Sequence, residues 1–226
     1  MRRIVFSAVA LASLSLPVLA ADLPSPLAPT PVYNWTGFYL GAQLGGEFGT
    51  AYYNVPWNGF SRSISNSGVF GGGFAGYNYQ IGSLVLGLQG EFNGSGVTGS
   101  KFDPAFGETI NARQAWLASI DGRLGYSFNQ FLVYAIGGVA FSELKHNYIN
   151  RFGADFGFSN TRTGFDVGGG VEYAFTPNWT ARLEYRYYNF GETSYAAVHR
   201  PFSGTLYAHN FKQTENSVRL GVAYKF

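Results

Sequence analysis

The sequence predicts an all-β fold, an eight-stranded antiparallel up-and-down transmembrane β-barrel, and three observations carry that prediction. Eight runs alternate apolar and polar residues with a period of two. The connections between them alternate strictly between short and long. The composition is also unlike that of a soluble domain: charged residues make up 12% of the chain, against roughly 25% in ordinary globular proteins. Aromatics reach 18%, and 31 of the 226 residues are glycine, about twice the usual share. With no cysteine there is no disulfide framework and no thiolate chemistry.

The first element is not part of the fold. Arg2 and Arg3 precede a mostly apolar stretch, Ile4 to Leu16, and Val18-Leu19-Ala20 supplies the small residues of a cleavage site. Residues 1–20 therefore read as a secretory signal peptide, because about 13 apolar residues fall short of the ~20 that a spanning helix needs. The Arg2-Arg3 pair also matches, weakly, a twin-arginine signal. Its removal takes two bases and no acid, so the 15 basic residues fall to 13, equal to the 13 acids. Such neutrality argues against nucleic acid as a partner, since phosphate binding needs a surplus of positive charge. Residues 21–35 follow as a periplasmic N-terminal tail. Pro24, Pro26, Pro29 and Pro31 favour extended, unpaired backbone there.

The barrel is expected over 36–226. Its first run sets Phe38, Leu40, Ala42, Leu44 and Phe48 against Tyr39, Gln43 and Glu47; side chains that alternate in this way belong to a strand. The second is Val69 to Gln80. The third opposes Leu84, Leu86, Leu88 and Phe92 to Gln89 and Glu91, and the fourth, Gln114 to Phe128, places Asp121 and Arg123 on its polar face. The fifth, Leu132 to Phe141, carries apolar residues on both parities, which leaves its facing open. In the sixth, Phe165, Val167, Val171 and Tyr173 alternate with Asp166 and Glu172. In the seventh, Trp179, Leu183, Tyr185 and Tyr187 alternate with Arg182, Glu184 and Arg186. The last sets Val218, Leu220, Val222, Tyr224 and Phe226 against Ser217, Arg219 and Lys225.

Gln80 to Ser83, Phe128 to Phe131 and Thr176 to Asn178 read as tight turns, whereas 49–66, 94–112, 143–163 and 190–214 read as long loops. Short periplasmic turns, long external loops and an even strand count characterise barrels of the bacterial outer membrane. Aromatics gather at strand ends as two interfacial girdles: Phe38, Tyr77, Tyr79, Tyr126, Phe128, Phe175, Trp179 and Phe226 beside the short turns, and Phe48, Phe92, Trp116, Phe165 and Tyr187 at the other end.

A soluble ligand-carrying barrel shows the same period with its apolar face turned inward. Scarce charge, a glycine-rich polar face and the girdles favour the opposite facing, with apolar residues on lipid. The polar face then lines a bore, where an eight-stranded barrel has room only for side chains. Glu47, Glu91, Asp121, Arg123, Asp166, Glu172, Arg182, Glu184, Arg186, Arg219 and Lys225 are the candidate lumen charge network. Buried charges need partners, and Asp166 or Glu172 with Arg182 or Arg186 are candidate cross-strand pairs. A filled or narrow bore is the preferred reading. The alternative is that Gly41, Gly45, Gly87, Gly168 and Gly170 leave space for a water path and small solutes.

Several motifs, namely Ala21-Asp22-Leu23-Pro24, Trp35-Thr36-Gly37-Phe38-Tyr39-Leu40-Gly41, Gly76-Tyr77-Asn78-Tyr79-Gln80, Gly122-Arg123-Leu124-Gly125-Tyr126 and Val222-Ala223-Tyr224-Lys225-Phe226, occur in this order. Together they resemble the porin-like, surface-antigen outer-membrane β-barrel family of Gram-negative bacteria, of the eight-stranded OmpA-like kind. The likeness spans nearly all of the chain after the signal peptide. It implies that Val218, Leu220, Val222, Tyr224 and Phe226 form the signal read by the barrel-insertion machinery, and that periplasmic chaperones carry the unfolded chain.

No cofactor is expected. Gly71 to Gly76 matches G-x-G-x-x-G, but no helical period follows, as a dinucleotide site requires. His146, His199 and His209 fall in the long loops at spacings that match no metal motif. Ser203, His199 and Glu192 share the last loop, so an enzyme with an active site at the loop rim is one alternative; a secreted soluble carrier is another. The expected role is structural or porin-like, in the outer membrane, with no reaction and with loops available to extracellular ligands.

Overall fold

The computed structural model describes residues 33–55, 60–103, 108–149, 155–198 and 206–226. Its elements are β1 (Gly37–Val55), β2 (Phe60–Ile81), β3 (Leu84–Ser95), β4 (Thr98–Asp103), β5 (Glu108–Phe128), β6 (Phe131–Ile149), β7 (Asp155–Ala174), β8 (Trp179–Val198) and β9 (Leu206–Lys225). β3 and β4 both lie between β2 and β5, parted only by Gly96 and Val97, and make one stave. Backbone bonds bridge the break: Gly96 N donates to Val69 O and Val97 O accepts from Gln114 N. Eight staves result, every pairing is antiparallel, and β1 pairs with both β2 and β9. Closure of this kind satisfies each strand on both sides, which is what lets a sheet cross lipid. The barrel unit is Val32–Phe226; the separate unit Met1–Pro31, with the expected signal peptide and most of the tail, lies outside the described residues.

The facing follows the demands of two different solvents. On β7, β8 and β9, Val171, Leu183 and Leu220 are 46%, 47% and 58% exposed, whereas Glu172 and Arg182 are 5% and 3% exposed. Apolar side chains point away from the axis and ionised ones toward it, the reverse of a soluble carrier. β6 resolves too: Leu132, Tyr134, Ile136 and Ala140 are buried and inward, while Phe131, Val133 and Val139 face out. The lower girdle is a chain of ring contacts, with Phe38 4.7 Å from Tyr77, Tyr126 4.8 Å from Phe128, Phe131 4.6 Å from Tyr173, and Trp179 5.2 Å from Tyr224. At the other end Phe92 stacks on Trp116 at 5.9 Å.

The expected tight turns are two of two residues, Gly82-Ser83 and Asn129-Gln130, and one of four, Phe175 to Asn178. Gly82 (φ 60°) and Asn129 (φ 58°) open theirs in the left-handed region, which a two-residue hairpin needs and which glycine and asparagine tolerate best. The external connections differ from expectation. β1 continues to Val55 and pairs with β2 from Phe60 onward; β8 and β9 likewise stay paired as far as Val198 and Leu206. Most of the four stretches read as loops is therefore hairpin. Backbone pairing thus continues past the stretches whose sequence alternates. A bulge between Gln114 and Trp116 and an irregularity between Asn189 and Glu192, with Gly191 at φ 68°, mark that zone.

Candidate functional site

The bore is closed at its periplasmic end by the chain itself. Trp35, 1% exposed, packs with Val85, Leu132, Tyr134, Ile136 and Ala174, and Tyr33 covers it. Trp35 N donates to Gln80 Oε1 (2.7 Å) and its indole Nε1 to Asn129 O (3.1 Å), while Tyr33 N donates to Asn129 Oδ1 (3.0 Å). The last residues of the proline-rich segment are thus held by the barrel, where the sequence suggested unpaired backbone. Lys225, expected in the lumen network, instead donates to Asn34 O and lies 4.8 Å over the Tyr33 ring. Burial, with Glu172 adding to it, pushes the Tyr33 phenol up to about 12.

Above this floor four arginines organise the interior. Arg123 meets Glu172 at 2.6 Å, donates to Tyr39 Oη (3.1 Å) and lies over the Tyr134 ring at 4.0 Å. Arg182 donates to Gln89 Oε1 (2.7 Å) and Gln43 Oε1 (2.6 Å) and stacks 3.4 Å above Phe74. Arg186 is the hub: Asp121 lies at 2.6 Å, Asp166 at 2.9 Å, Glu184 at 2.6 Å and Glu91 at 3.3 Å. Arg219 takes the other Glu91 oxygen at 2.7 Å and donates to Tyr188 Oη (2.5 Å) and Ser217 Oγ (2.6 Å). A planar guanidinium with five donors suits such sharing among several oxygens.

Inward glycines make this density geometrically feasible. A Cβ at Gly41 would lie 2.3 Å from the Phe74 ring, at Gly45 2.7 Å from Phe70, at Gly87 2.3 Å from Asn78, at Gly168 2.9 Å from Arg186 and at Gly170 2.8 Å from the Tyr134 hydroxyl. The recesses that the sequence offered for a water path are therefore occupied by neighbouring side chains. Gly71 to Gly76 belongs to the same wall, inside β2, with no helix after it.

Of the expected network residues, Glu91, Asp121, Asp166, Glu184, Arg186 and Arg219 converge. Glu172 and Arg182 are backbone register partners, yet they do not pair: Glu172 reaches Arg123, three staves round the ring from Arg182, because the Arg182 fork is spent on Gln43 and Gln89. Glu47 lies inward and, among the described residues, makes no ion pair with an arginine. Gln43 and Gln89, which parity places on the inward face, join the network as amides; Glu215 and Gln114 were missed, along with the inward rings of Phe70, Phe74 and Tyr188. Glu215 shares the parity of Ser217 and Arg219, so two more steps along that run would have found it. His199 and Ser203 lie outside the described residues; His146 and His209 sit on strand extensions, and Glu192 is exposed on β8.

Comparison with known proteins agrees with this geometry. The family of the outer membrane protein beta-barrel domain matches residues 6–226. A 31 kDa outer-membrane immunogenic protein of Brucella melitensis is 31% identical over 251 residues, covering all of both chains. A 22 kDa outer membrane protein of Rhizobium leguminosarum is 34% identical over 196 residues, 87% of this chain and 80% of its own. Among solved structures, the outer membrane protein OprG of Pseudomonas aeruginosa superposes with a TM-score of 0.52 at 11% identity, covering 86% of this chain and 98% of that one. An outward apolar belt, a closed ring and a match over nearly the whole sequence lead to one conclusion: the chain is an integral β-barrel of the outer membrane and belongs to the outer membrane protein beta-barrel domain family.

Proposed function

We propose that this barrel is a non-conducting anchor and surface antigen, whose filled bore stiffens a platform of external hairpins exposed to extracellular ligands. The observation that carries the reading is the Arg186 knot, in which one fully buried guanidinium meets carboxylates from β3, β5, β7 and β8 across the whole bore. The name of the Brucella relative, an immunogenic protein, supports the antigen part of the reading. No reaction and no cofactor are part of it. In planar bilayers the refolded protein is expected to give no stable unitary steps; repeated steps of one size would overturn the filled bore. The outward residues Val218, Leu220, Val222, Tyr224 and Phe226 serve in this reading as the signal for the insertion machinery, after delivery by periplasmic chaperones. Phe226→Ala should then slow appearance of the folded, heat-modifiable form in cells while leaving refolding into detergent unchanged; equal slowing in both would remove the signal role.

A further inference from the structure

We propose that the external end of the bore binds one hard divalent cation between the carboxylates of Glu47 and Glu215. The proposal goes beyond the anchor reading and stands whether or not the bore conducts. Its starting point is charge. Among the described residues the buried interior holds seven carboxylates and five arginines. Arg123, Arg182, Arg186 and Arg219 serve Glu91, Asp121, Asp166, Glu172 and Glu184, and no ion pair reaches Glu47 or Glu215 among the described residues. Glu47 and Glu215, 2% and 0% exposed, are thus the two buried acids outside the ion-pair network. An uncompensated buried charge is costly enough to demand a counter-charge.

The oxygens there are also unspent. Both Glu47 carboxylate oxygens are buried without a hydrogen-bond partner, and so is Asn66 Oδ1. Among the described residues the hydrogen bonds to Glu215 come from amides: Asn66 Nδ2 at 3.4 Å, Gln114 Nε2 at 3.3 Å, and Gln213 Nε2. Gly49 is the register partner of Asn66 on β2 and of Glu215 on β9. A Cβ at Gly49 would come within 2.9 Å of both Asn66 Oδ1 and Glu215 Cγ, so its absence lets these side chains converge. Glu47 is paired with Ser217, two positions from Glu215 on the same inner face, so the two carboxylates are near neighbours on that face. Two carboxylates and an amide oxygen, with no nitrogen or sulfur ligand, match calcium-like ions. No group of three or more His, Cys, Asp or Glu among the described residues is placed to hold a metal. The expected affinity is accordingly modest, on the order of 10⁻⁴–10⁻³ M.

The test uses the full barrel refolded in non-ionic detergent without anionic lipid. Calcium chloride is titrated calorimetrically, and terbium chloride by emission sensitised through Tyr188, the register partner of Glu215. One saturable site is expected, weakened at least about tenfold by Glu47→Gln and by Glu215→Gln. Calcium should raise the thermal midpoint of the wild type and not that of Glu47→Gln, a variant that removes a buried charge and so should fold. Absence of saturable binding, binding unchanged in both variants, or a midpoint indifferent to calcium between about pH 5 and 8, as protons shared by the two acids would give, overturns the proposal.

Discussion

Arg186 is the residue on which most of the interior converges, and its energetics are those of a hub and not of a pair. Burying an arginine with acids need not add net stability, because desolvation offsets attraction; removing it strands every acid it served. Arg186→Met should therefore cost about 3–5 kcal/mol or more, read as a lowered urea midpoint in lipid vesicles. Arg186→Lys should recover only part of this, since an ammonium cannot span Asp121, Asp166, Glu184 and Glu91 at once. A midpoint unchanged in Arg186→Met would mean that the knot is not the organising contact. At this scale the sequence was half legible. Which residues are inward could be read from parity, but which arginine takes which acid could not. Glu172 joining Arg123 instead of its register neighbour Arg182 is settled by ring and amide contacts of residues distant in sequence.

At the level of the strand, polarity contrast decides what can be read. β8 alternates clearly because Leu183 and Tyr185 meet lipid while Arg182, Glu184 and Arg186 meet one another. β6 does not, and the reason is the floor: its inward residues Leu132, Tyr134 and Ile136 pack against Trp35, so apolar side chains are needed on both faces. The external hairpins failed to read because backbone pairing there, as between β1 and β2 from Ala51 to Val55, runs through sequence without a sustained period of two. Lipid contact at mid-strand makes its own prediction. Leu183→Arg should cost about 2–4 kcal/mol in an unfolding titration in lipid; an unaltered titration would contradict the outward facing of Leu183.

For the molecule as a whole, three regions stack along one axis: an aromatic-sealed floor, a core of arginines and acids, and paired hairpins that carry the wall outward. The ring closes through β1 and β9, with Phe226 N donating to Phe38 O at 2.9 Å and Lys225 reaching back to Asn34. First and last staves are thus neighbours, and the β1–β9 seam is paired antiparallel like every other. A circular permutant, tethering Phe226 to Tyr33 and reopened between Gly82 and Ser83, should reach the same folded state by gel mobility and circular dichroism. A permutant that stays open would show that the order of strand delivery sets the architecture. The closed ring itself has no preferred place to begin.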